Sequence, residues 1–295
     1  MSDAIDALIA GEALPDAYRE IVDRWWRPLA DVIAARHAAD GHPILVGING
    51  PQGSGKSTLC LFLEALLAEQ DLHAATLSLD DIYLEKPHRL AKAEHVHPLF
   101  ATRGVPGTHD VFVGLDMFAE VLRGDTPLLP RFDKAEDDRA PVEQWHQLDR
   151  PVDVLLFEGW CVGARPQEAE ALAEPINRLE AEEDPEGLWR ATVNEALIAP
   201  YQALWGPLTM LVMFRPPGFE QVREWRLLQE RKLIERTGRG MDEAALDRFV
   251  QHYERVTRHM LATLPEVADV VIDVDAAHRV TGLSGPACPA PPAAS

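Results

Sequence analysis

One stretch of the sequence decides the fold, and it reads Gly50-Pro51-Gln52-Gly53-Ser54-Gly55-Lys56-Ser57. It fits the pattern G-x-x-x-x-G-K-[ST], in which closely spaced glycines let backbone N–H groups turn toward phosphate oxygens. An apolar run at 44–48 precedes it and is typical of a buried strand, and the apolar segment 58–67 that follows predicts a helix. Strand, glycine loop and helix in this order predict a phosphate-binding loop.

The residue types of this loop indicate how it would bind a nucleotide. We expect Lys56 to reach the β- and γ-phosphates and the Ser57 hydroxyl to bind Mg²⁺. The N-terminus of the following helix adds the positive end of its dipole. The alternative is a glycine-rich turn with an exposed lysine. The predicted nucleotide contacts are Gly50, Gln52, Gly53, Ser54, Gly55, Lys56, Ser57 and Thr58.

Charge and composition limit the partners. The chain has 295 residues and a net charge of −20, which argues against binding to nucleic acid or to an anionic membrane surface. An anionic small-molecule substrate must therefore be attracted by a local cluster of cations. Three widely spaced cysteines, an acidic N-terminus and no apolar run of membrane-spanning length together predict a cytoplasmic protein; the oligomeric state stays open.

Four further apolar runs predict strands, at 74–79, 152–157, 208–214 and 267–274. Helical patterns lie between them, which is typical of a parallel α/β sheet. Ligands of such sheets bind at the carboxyl ends of the strands. The polar residues that end the first three strands should therefore face one crevice.

The remaining segments suggest a single domain over residues 1–282. Residues 16–39 predict an N-terminal amphipathic helix with Ile21, Trp25 and Leu29 on one face. A substrate-binding insertion is expected at about 81–151 because this stretch is long and rich in His, Pro, Arg and Asp. The acidic stretch 165–190 indicates solvated helix and loop, and the Pro/Ala-rich tail 283–295 suggests disorder.

Two strand ends carry candidate catalytic carboxylates. Asp80 directly follows the second strand, where it could accept the proton of an attacking hydroxyl group. Asp81 is its rival, since neighbours along a strand point to opposite faces, and both could merely cap the next segment. Glu158 ends the third strand, and an acid beside a phosphate loop commonly serves Mg²⁺, directly or through water.

Three loops or helices carry candidate cations. Arg103 and His109 could bind the substrate, and the charged loop around Arg131 and Asp133 could hold a carboxylate. The basic segment 221–237, which contains Arg226, reads either as a lid that closes over the phosphates or as an amphipathic helix with a solvated basic face.

Several motifs together resemble those of the plant and fungal D-glycerate 3-kinases, a group within the phosphoribulokinase, uridine kinase and pantothenate kinase branch of P-loop kinases. The resemblance spans roughly residues 43–275, with the motifs in the family's order. They are Leu77-Ser78-Leu79-Asp80-Asp81-Ile82-Tyr83, Arg103-Gly104, Gly107-Thr108-His109-Asp110, Leu129-Pro130-Arg131-Phe132-Asp133-Lys134, Phe157-Glu158-Gly159-Trp160, Val193-Asn194-Glu195 with Tyr201 and Trp205, and Glu224-Trp225-Arg226-Leu227-Leu228-Gln229-Glu230.

This resemblance implies a P-loop NTPase fold with a five-stranded parallel sheet of order 2-3-1-4-5. It implies ATP and Mg²⁺ as cofactors, Asp80 as the base, Lys56 on the phosphates and Arg226 in a lid at about 218–240. The acceptor would be D-glycerate, held by Arg103, His109, Arg131 and Asp133.

The acceptor side departs from the family pattern. Residues 135–139 lack the small-residue stretch of the plant enzymes, and Ile82 replaces an aromatic residue. Other acceptors therefore stay open: a nucleoside, a pantothenate-like acid or another hydroxy acid. A second alternative is a protein that hydrolyses nucleotide in order to change shape, although no N-K-x-D guanine signature is present.

Overall fold

A central sheet organises the computed structural model, which describes residues 2–237 and 240–288. In chain order the strands are β1 (Ile44–Asn49), β2 (Ala74–Ser78), β3 (Leu128–Leu129), β4 (Phe132–Asp133), β5 (Asp138–Arg139), β6 (His146–Gln147), β7 (Val154–Gly159), β8 (Met210–Arg215), β9 (Val270–Val274) and β10 (Val280–Ser284). Six of the strands within the described residues form this sheet, and two short antiparallel strand pairs, β3–β6 and β4–β5, lie apart from it.

The sheet order is β2-β7-β1-β8-β9-β10, and the first five of these strands are parallel. β10 pairs antiparallel with β9 and adds a sixth strand that the sequence analysis did not expect. It also shortens the predicted tail, because Leu283 and Ser284 belong to β10. β10 is half-exposed and contains a glycine, so its own pattern is weak and its pairing comes from the free edge of β9. Residues 289–295 of that tail lie outside the described residues.

Helices cover both faces of the sheet. They are α1 (Ser2–Gly11), α2 (Tyr18–Ile21), α3 (Arg27–Asp40), α4 (Lys56–Ala68), α5 (Lys86–His95), α6 (Val111–Leu122), α7 (Arg178–Glu183), α8 (Leu188–Ile198), α9 (Pro200–Trp205), α10 (Phe219–Thr237) and α11 (Glu243–Thr263).

The predicted N-terminal helix is interrupted by a π-helical turn at Val22–Trp26. Pro28 follows it, and a proline has no N–H to continue the α-helical ladder. The turn shifts the buried face by one position, so Val22 and Trp26 are buried where Ile21 and Trp25 were predicted. The resulting extension packs on α4, the helix that follows the phosphate loop.

Alternate residues of each central strand enter opposite cores, as the strand pleat requires. On β1, Leu45 packs into the core beneath the insertion, whereas Val46 packs with α4 and the N-terminal helices. Leu155 and Leu156 of β7 divide in the same way. Both faces are covered, so ligands can reach the sheet only at the strand ends.

The acidic segment 165–190 is less solvated than predicted. Glu180 and Asp184 are buried. The Arg255 guanidinium binds Glu180 with two hydrogen bonds of 2.8 and 2.6 Å, and Arg190 pairs with Asp184 at 3.1 Å. These two ion pairs bury part of the acidic segment. The number of acidic residues in the sequence does not reveal such pairing. Over the described ranges, every helix is too short or too polar to cross a bilayer.

Candidate active site

The phosphate loop connects β1 to α4. Gly53 and Gly55 adopt left-handed backbone conformations, with φ of 80° and 96°, which residues other than glycine rarely adopt. Gly50 has no room for a side chain, since a Cβ atom there would lie 2.6 Å from Ser54 Oγ. α4 begins at Lys56, so its N-terminal N–H groups open onto the loop.

Lys56, Ser57 and Glu158 meet at the carboxyl end of the sheet. The Ser57 hydroxyl donates a hydrogen bond of 3.0 Å to Glu158 Oε1, and Ser78 Oγ donates to the same oxygen at 3.2 Å. Lys56 Nζ lies 4.0 Å from Glu158 Oε2 and donates to the Pro51 carbonyl at 3.2 Å. Glu158 lies at the buried end of β7, so the sheet itself fixes its position against the loop.

This group of oxygen atoms has the chemistry of a Mg²⁺ site. Mg²⁺ prefers oxygen ligands and usually binds through one or two carboxylates together with substrate phosphates. The Ser57 hydroxyl and the Glu158 carboxylate provide such oxygens beside the phosphate loop. In the described part of the chain, no group of three or more His, Cys, Asp or Glu residues could hold a metal alone. The residues therefore fit a metal carried by a nucleotide.

The neighbouring aspartates after β2 point to different places. Asp80 lies in the 3₁₀ helix Leu79–Ile82 and lines the main cleft of the molecule, together with Lys56 and Ser57. Asp81 is not in that lining; its carboxylate accepts hydrogen bonds of 3.2 Å each from Arg131 Nη1 and the Phe132 N–H. The strand-end geometry thus separates a cleft carboxylate from one that anchors a hairpin.

Both oxygens of the Asp80 carboxylate are hydrogen-bonded. Tyr83 Oη donates to Oδ1 at 2.8 Å, and Lys134 Nζ donates to Oδ2 at 2.8 Å. Burial by itself raises the pKa of Asp80, but the Lys134 ammonium and the Tyr83 hydroxyl outweigh it and hold that pKa below its usual value. Asp80 is therefore a charged, hydrogen-bonded carboxylate at neutral pH.

A small hairpin, β4–β5, forms one side of the cleft, and two residues that were expected to bind the acceptor lie in it or next to it. Lys134 at its turn lines the cleft, whereas Arg131 and Asp133 do not. Arg131 pairs with Asp81, and both line a neighbouring pocket that shares Ser57, Ser78 and Glu158 with the cleft. Asp133 Oδ1 accepts from the backbone N–H groups of residues 135 and 136. These two side chains shape and anchor the hairpin.

Arg103 lines the cleft, and its role in substrate binding stays a prediction. Its guanidinium pairs with the Asp137 carboxylate of the hairpin turn and lies 5.3 Å from the centroid of the Phe132 ring. The Tyr253 hydroxyl of α11 donates to the Arg103 carbonyl at 3.1 Å. The hairpin, the insertion and α11 therefore hold this cation between them.

His109 is buried and does not line this cleft, and its role in substrate binding stays a prediction. Its ring stacks on Tyr83, with centroids 4.5 Å apart. Tyr201 Oη accepts from the Gly107 N–H at 2.9 Å and is hydrogen-bonded to His109 Nδ1 at 2.5 Å. Burial lowers the pKa of His109 to about 3 and keeps the ring neutral. The residue supports Tyr83 and does not touch the cleft.

Arg226 of α10 lines the cleft. Its guanidinium pairs with Glu230 at 2.7 Å and lies 5.7 Å from the centroid of the Phe249 ring on α11. Gln229 of the same helix also lines the cleft. Of the predicted lid, residues 238 and 239 lie outside the described residues.

The cleft encloses about 880 Å³ and collects positive charge on an acidic chain. Its described lining includes four cationic side chains (Lys56, Arg103, Lys134 and Arg226) against three carboxylates (Asp80, Asp137 and Glu158). An anionic ligand therefore meets a locally favourable field although the net charge of the chain is −20.

Sequence reasoning missed several lining residues. Lys134 stood in a quoted motif without a role, and nothing in its local pattern separates it from Arg131. Tyr83 could have been found, because a residue three positions after Asp80 returns to the same face of a 3₁₀ turn. Trp160 and Tyr253 read as ordinary core aromatics, and their rings pack with centroids 4.9 Å apart beside the cleft.

Comparisons with known proteins agree with this architecture. The chain is 34% identical over 252 residues to the uncharacterized kinase mug58 of Schizosaccharomyces pombe, covering 79% of this chain and 89% of that protein. It is 29% identical over 254 residues to the chloroplastic D-glycerate 3-kinase of Arabidopsis thaliana, covering 80% of this chain but only 53% of that protein. The chain thus spans about half the length of the Arabidopsis enzyme. No protein-family model matches.

A solved structure gives the same result. The D-glycerate 3-kinase from Cryptococcus neoformans superimposes with a TM-score of 0.75 and 25% sequence identity, covering 88% of this chain and 98% of that one. The α/β fold with a mostly parallel central sheet is that of the P-loop kinases among its structural neighbours, and the kinase relatives imply ATP as the phosphate donor. The chain is therefore an ATP-dependent kinase and belongs to the glycerate-kinase-like family of P-loop kinases.

Proposed function

We propose that this kinase transfers the γ-phosphoryl group of ATP to a hydroxyl group of D-glycerate and so forms 3-phosphoglycerate. One observation carries the proposal: the phosphate loop and the Asp80 carboxylate line one cleft together with Arg103 and Lys134. A carboxylate can take the proton of an alcohol, and the two cations can hold an acid. Two relatives that bear the name D-glycerate 3-kinase support the choice of acceptor.

The reaction divides among the residues of the cleft. Asp80 takes the proton of the acceptor hydroxyl, whose oxygen forms the new bond to the γ-phosphorus. The bond from that phosphorus to the β,γ-bridging oxygen breaks, and ADP leaves. Lys56 and Arg226 stabilise the negative charge that is spread over the transferring group.

Mg²⁺ is the proposed metal, held by Ser57 and Glu158, directly or through water. When bound, it supplies positive charge that neutralises phosphate oxygens. Support comes from the hydroxyl and carboxylate oxygens that lie 3.0 Å apart at the start of α4. A Ser57→Ala variant should need about tenfold more Mg²⁺ for half-maximal rate. An unchanged Mg²⁺ titration would exclude this hydroxyl from the metal site.

A panel of acceptors tests the substrate. Purified full-length protein is given ATP and one acceptor at a time, and ADP formation is followed by a coupled assay. The panel contains D-glycerate, L-glycerate, glycerol, a nucleoside and pantothenate. We expect D-glycerate to give the highest kcat/KM. ADP formation that does not respond to any acceptor would instead indicate a nucleotide-hydrolysing protein and overturn the proposal.

Adjacent aspartates provide a matched test of the base. Asp80→Asn should lower kcat by about 10² to 10⁴ with little change in ATP affinity, because the variant removes proton transfer and leaves the phosphate loop intact. Asp81→Asn is the control, since Asp81 anchors the hairpin outside the cleft. Near wild-type turnover by Asp80→Asn would show that Asp80 is not the base.

Two further assignments belong to the same proposal. The segment 218–240 acts as a lid, supported by Arg226 and Gln229 of α10 in the cleft lining, and residues 81–151 form the acceptor side. The lid is tested by limited proteolysis, in which bound ATP should protect the segment 218–240 from cleavage. A cytosolic location is supported by Cys60 and Cys161, which are buried as thiols.

A further inference from the structure

Each oxygen of the Asp80 carboxylate already accepts a hydrogen bond from a side chain of the cleft, a state that we call blocked. Tyr83 Oη occupies Oδ1 and the Lys134 ammonium occupies Oδ2, each at 2.8 Å. A carboxylate whose charge is satisfied by a neighbouring cation is a weak base. This arrangement therefore opposes the proton transfer that the proposed reaction requires, and the departure of either donor would make Asp80 a stronger base.

The two donors differ in how firmly they are held. The Tyr83 side chain is buried, stacked on His109 and packed edge-on against Phe132, with ring centroids 5.2 Å apart. The Lys134 side chain is 64% exposed at the hairpin turn. Among the described residues, Asp80 is the single hydrogen-bond partner of its ammonium group. Lys134 can therefore leave Asp80 by rotation of its own side chain, whereas Tyr83 cannot.

The acceptor itself offers a reason for the ammonium to move. A small hydroxy acid carries its carboxylate within a few bonds of its hydroxyl groups, so a hydroxyl at Asp80 brings a second carboxylate into the same corner of the cleft. The other cation on this side, Arg103, is already paired with Asp137. Lys134 is thus the less committed cation for an incoming anion.

Building on the proposed function, we propose that Lys134 determines the preference for acidic acceptors. In the free enzyme its ammonium blocks Asp80. The carboxylate of the bound hydroxy acid draws the ammonium away, which leaves Asp80 Oδ2 free to take the hydroxyl proton as the oxygen–phosphorus bond forms and the bond to ADP breaks. The step needs no other reactant.

This device distinguishes acids from neutral acceptors. Water and neutral alcohols such as glycerol carry no charge that could compete with Asp80 for the ammonium group. Asp80 then stays blocked while ATP is bound, and both wasteful ATP hydrolysis and phosphorylation of neutral alcohols are slow. Water can solvate the ammonium group as it leaves Asp80, because the Lys134 side chain is 64% exposed.

A comparison of two methionine variants tests the proposal. Lys134→Met removes the ammonium group and keeps an unbranched side chain. Arg123→Met is the matched control, because Arg123 is a 61% exposed cation that pairs with Asp125 at 3.0 Å, outside the cleft lining. For each protein we would measure kcat and KM with D-glycerate, the same constants with glycerol, and ATP hydrolysis without acceptor.

The expected result is a loss of discrimination. Lys134→Met should lower kcat/KM for D-glycerate about thirtyfold through a higher KM, the effect of one lost charge-assisted contact. Glycerol phosphorylation and ATP hydrolysis should be unchanged or faster, because Asp80 is no longer blocked. Arg123→Met should behave like the wild type in all three assays.

Equal losses in all three assays would overturn the proposal, since Lys134 would then serve ATP or the fold. Should Lys134→Met fail to fold, as judged by circular dichroism, Lys134→Gln takes its place with the same expectations. The wild-type data separate the two proposals. A wild-type enzyme that prefers no hydroxy acid overturns the proposed function, whereas a wild-type preference that Lys134→Met retains overturns only the role of Lys134.

Discussion

The buried ion pair between Arg255 and Glu180 allows a sharp stability prediction. The guanidinium and the carboxylate make two hydrogen bonds, of 2.8 and 2.6 Å, and the exposed fractions of the two side chains are 7% and 0%. Glu180→Gln removes the negative charge and leaves the arginine buried without a counter-charge. Breaking such a pair on one side typically lowers the free energy of unfolding by about 3 to 5 kcal/mol.

The same segment provides a matched control. Arg248 binds Glu183 in the same two-bonded geometry, at 2.7 and 2.6 Å, but both side chains are at least 40% exposed. Water already solvates these charges, so Glu183→Gln should cost no more than about 1 kcal/mol. Both substitutions change Glu to Gln beside an arginine and differ chiefly in burial.

Urea denaturation and thermal unfolding at pH 7, each followed by circular dichroism, would measure the free energy of unfolding and the melting temperature of both variants. For a chain of this size we expect Glu180→Gln to lower the melting temperature by about 10 °C and Glu183→Gln by about 3 °C or less. If the unfolding free energies of the two variants agree within about 1 kcal/mol, burial is not what gives the Arg255 pair its importance, and the reasoning fails.

Two more predictions concern buried groups and the phosphate loop. Burial lowers the pKa of His109 to about 3 and that of His252 to about 4, so below pH 6.5 the unfolded chain binds more protons than the folded chain. The free energy of unfolding should therefore fall by about 2 kcal/mol per histidine from pH 7 to pH 5. His252→Gln should halve this loss, as measured by urea titrations at the two pH values. Gly50→Ala should lower ATP affinity at least about tenfold by calorimetry, because its Cβ would meet Ser54 Oγ at 2.6 Å, whereas Gly11→Ala meets nothing within 4 Å and should bind normally.

Local patterns were enough to predict the phosphate loop and the strands around it. Glycine spacing is a short-range signal, and the apolar runs at 44–48 and 152–157 fall on β1 and β7 because strands buried on both faces admit little else. The strand ends then placed Asp80 and Glu158 in one crevice without any knowledge of distant contacts.

The acceptor side could not be predicted in the same way. Arg131 and Lys134 are two cations in one short loop, and which of them faces the cleft depends on the pairing of β4 with β5 and on a contact with Asp81, 50 residues earlier. His109 looks like a binding residue in a charged loop, yet Tyr83 and Tyr201 bury it. The π-helical turn near Pro28 likewise shifts a predicted helix face by one position.

The cleft draws on parts of the chain that are far apart, from Gln52 in the phosphate loop to Tyr253 on α11. No proteolytic fragment and no grafted loop can carry the whole site, since each wall is supplied by a different region of the sequence. Long-range contacts of this kind form late in folding. Recovery of kinase activity after dilution from denaturant would therefore report that the complete molecule has assembled. The helical circular dichroism signal alone does not report this.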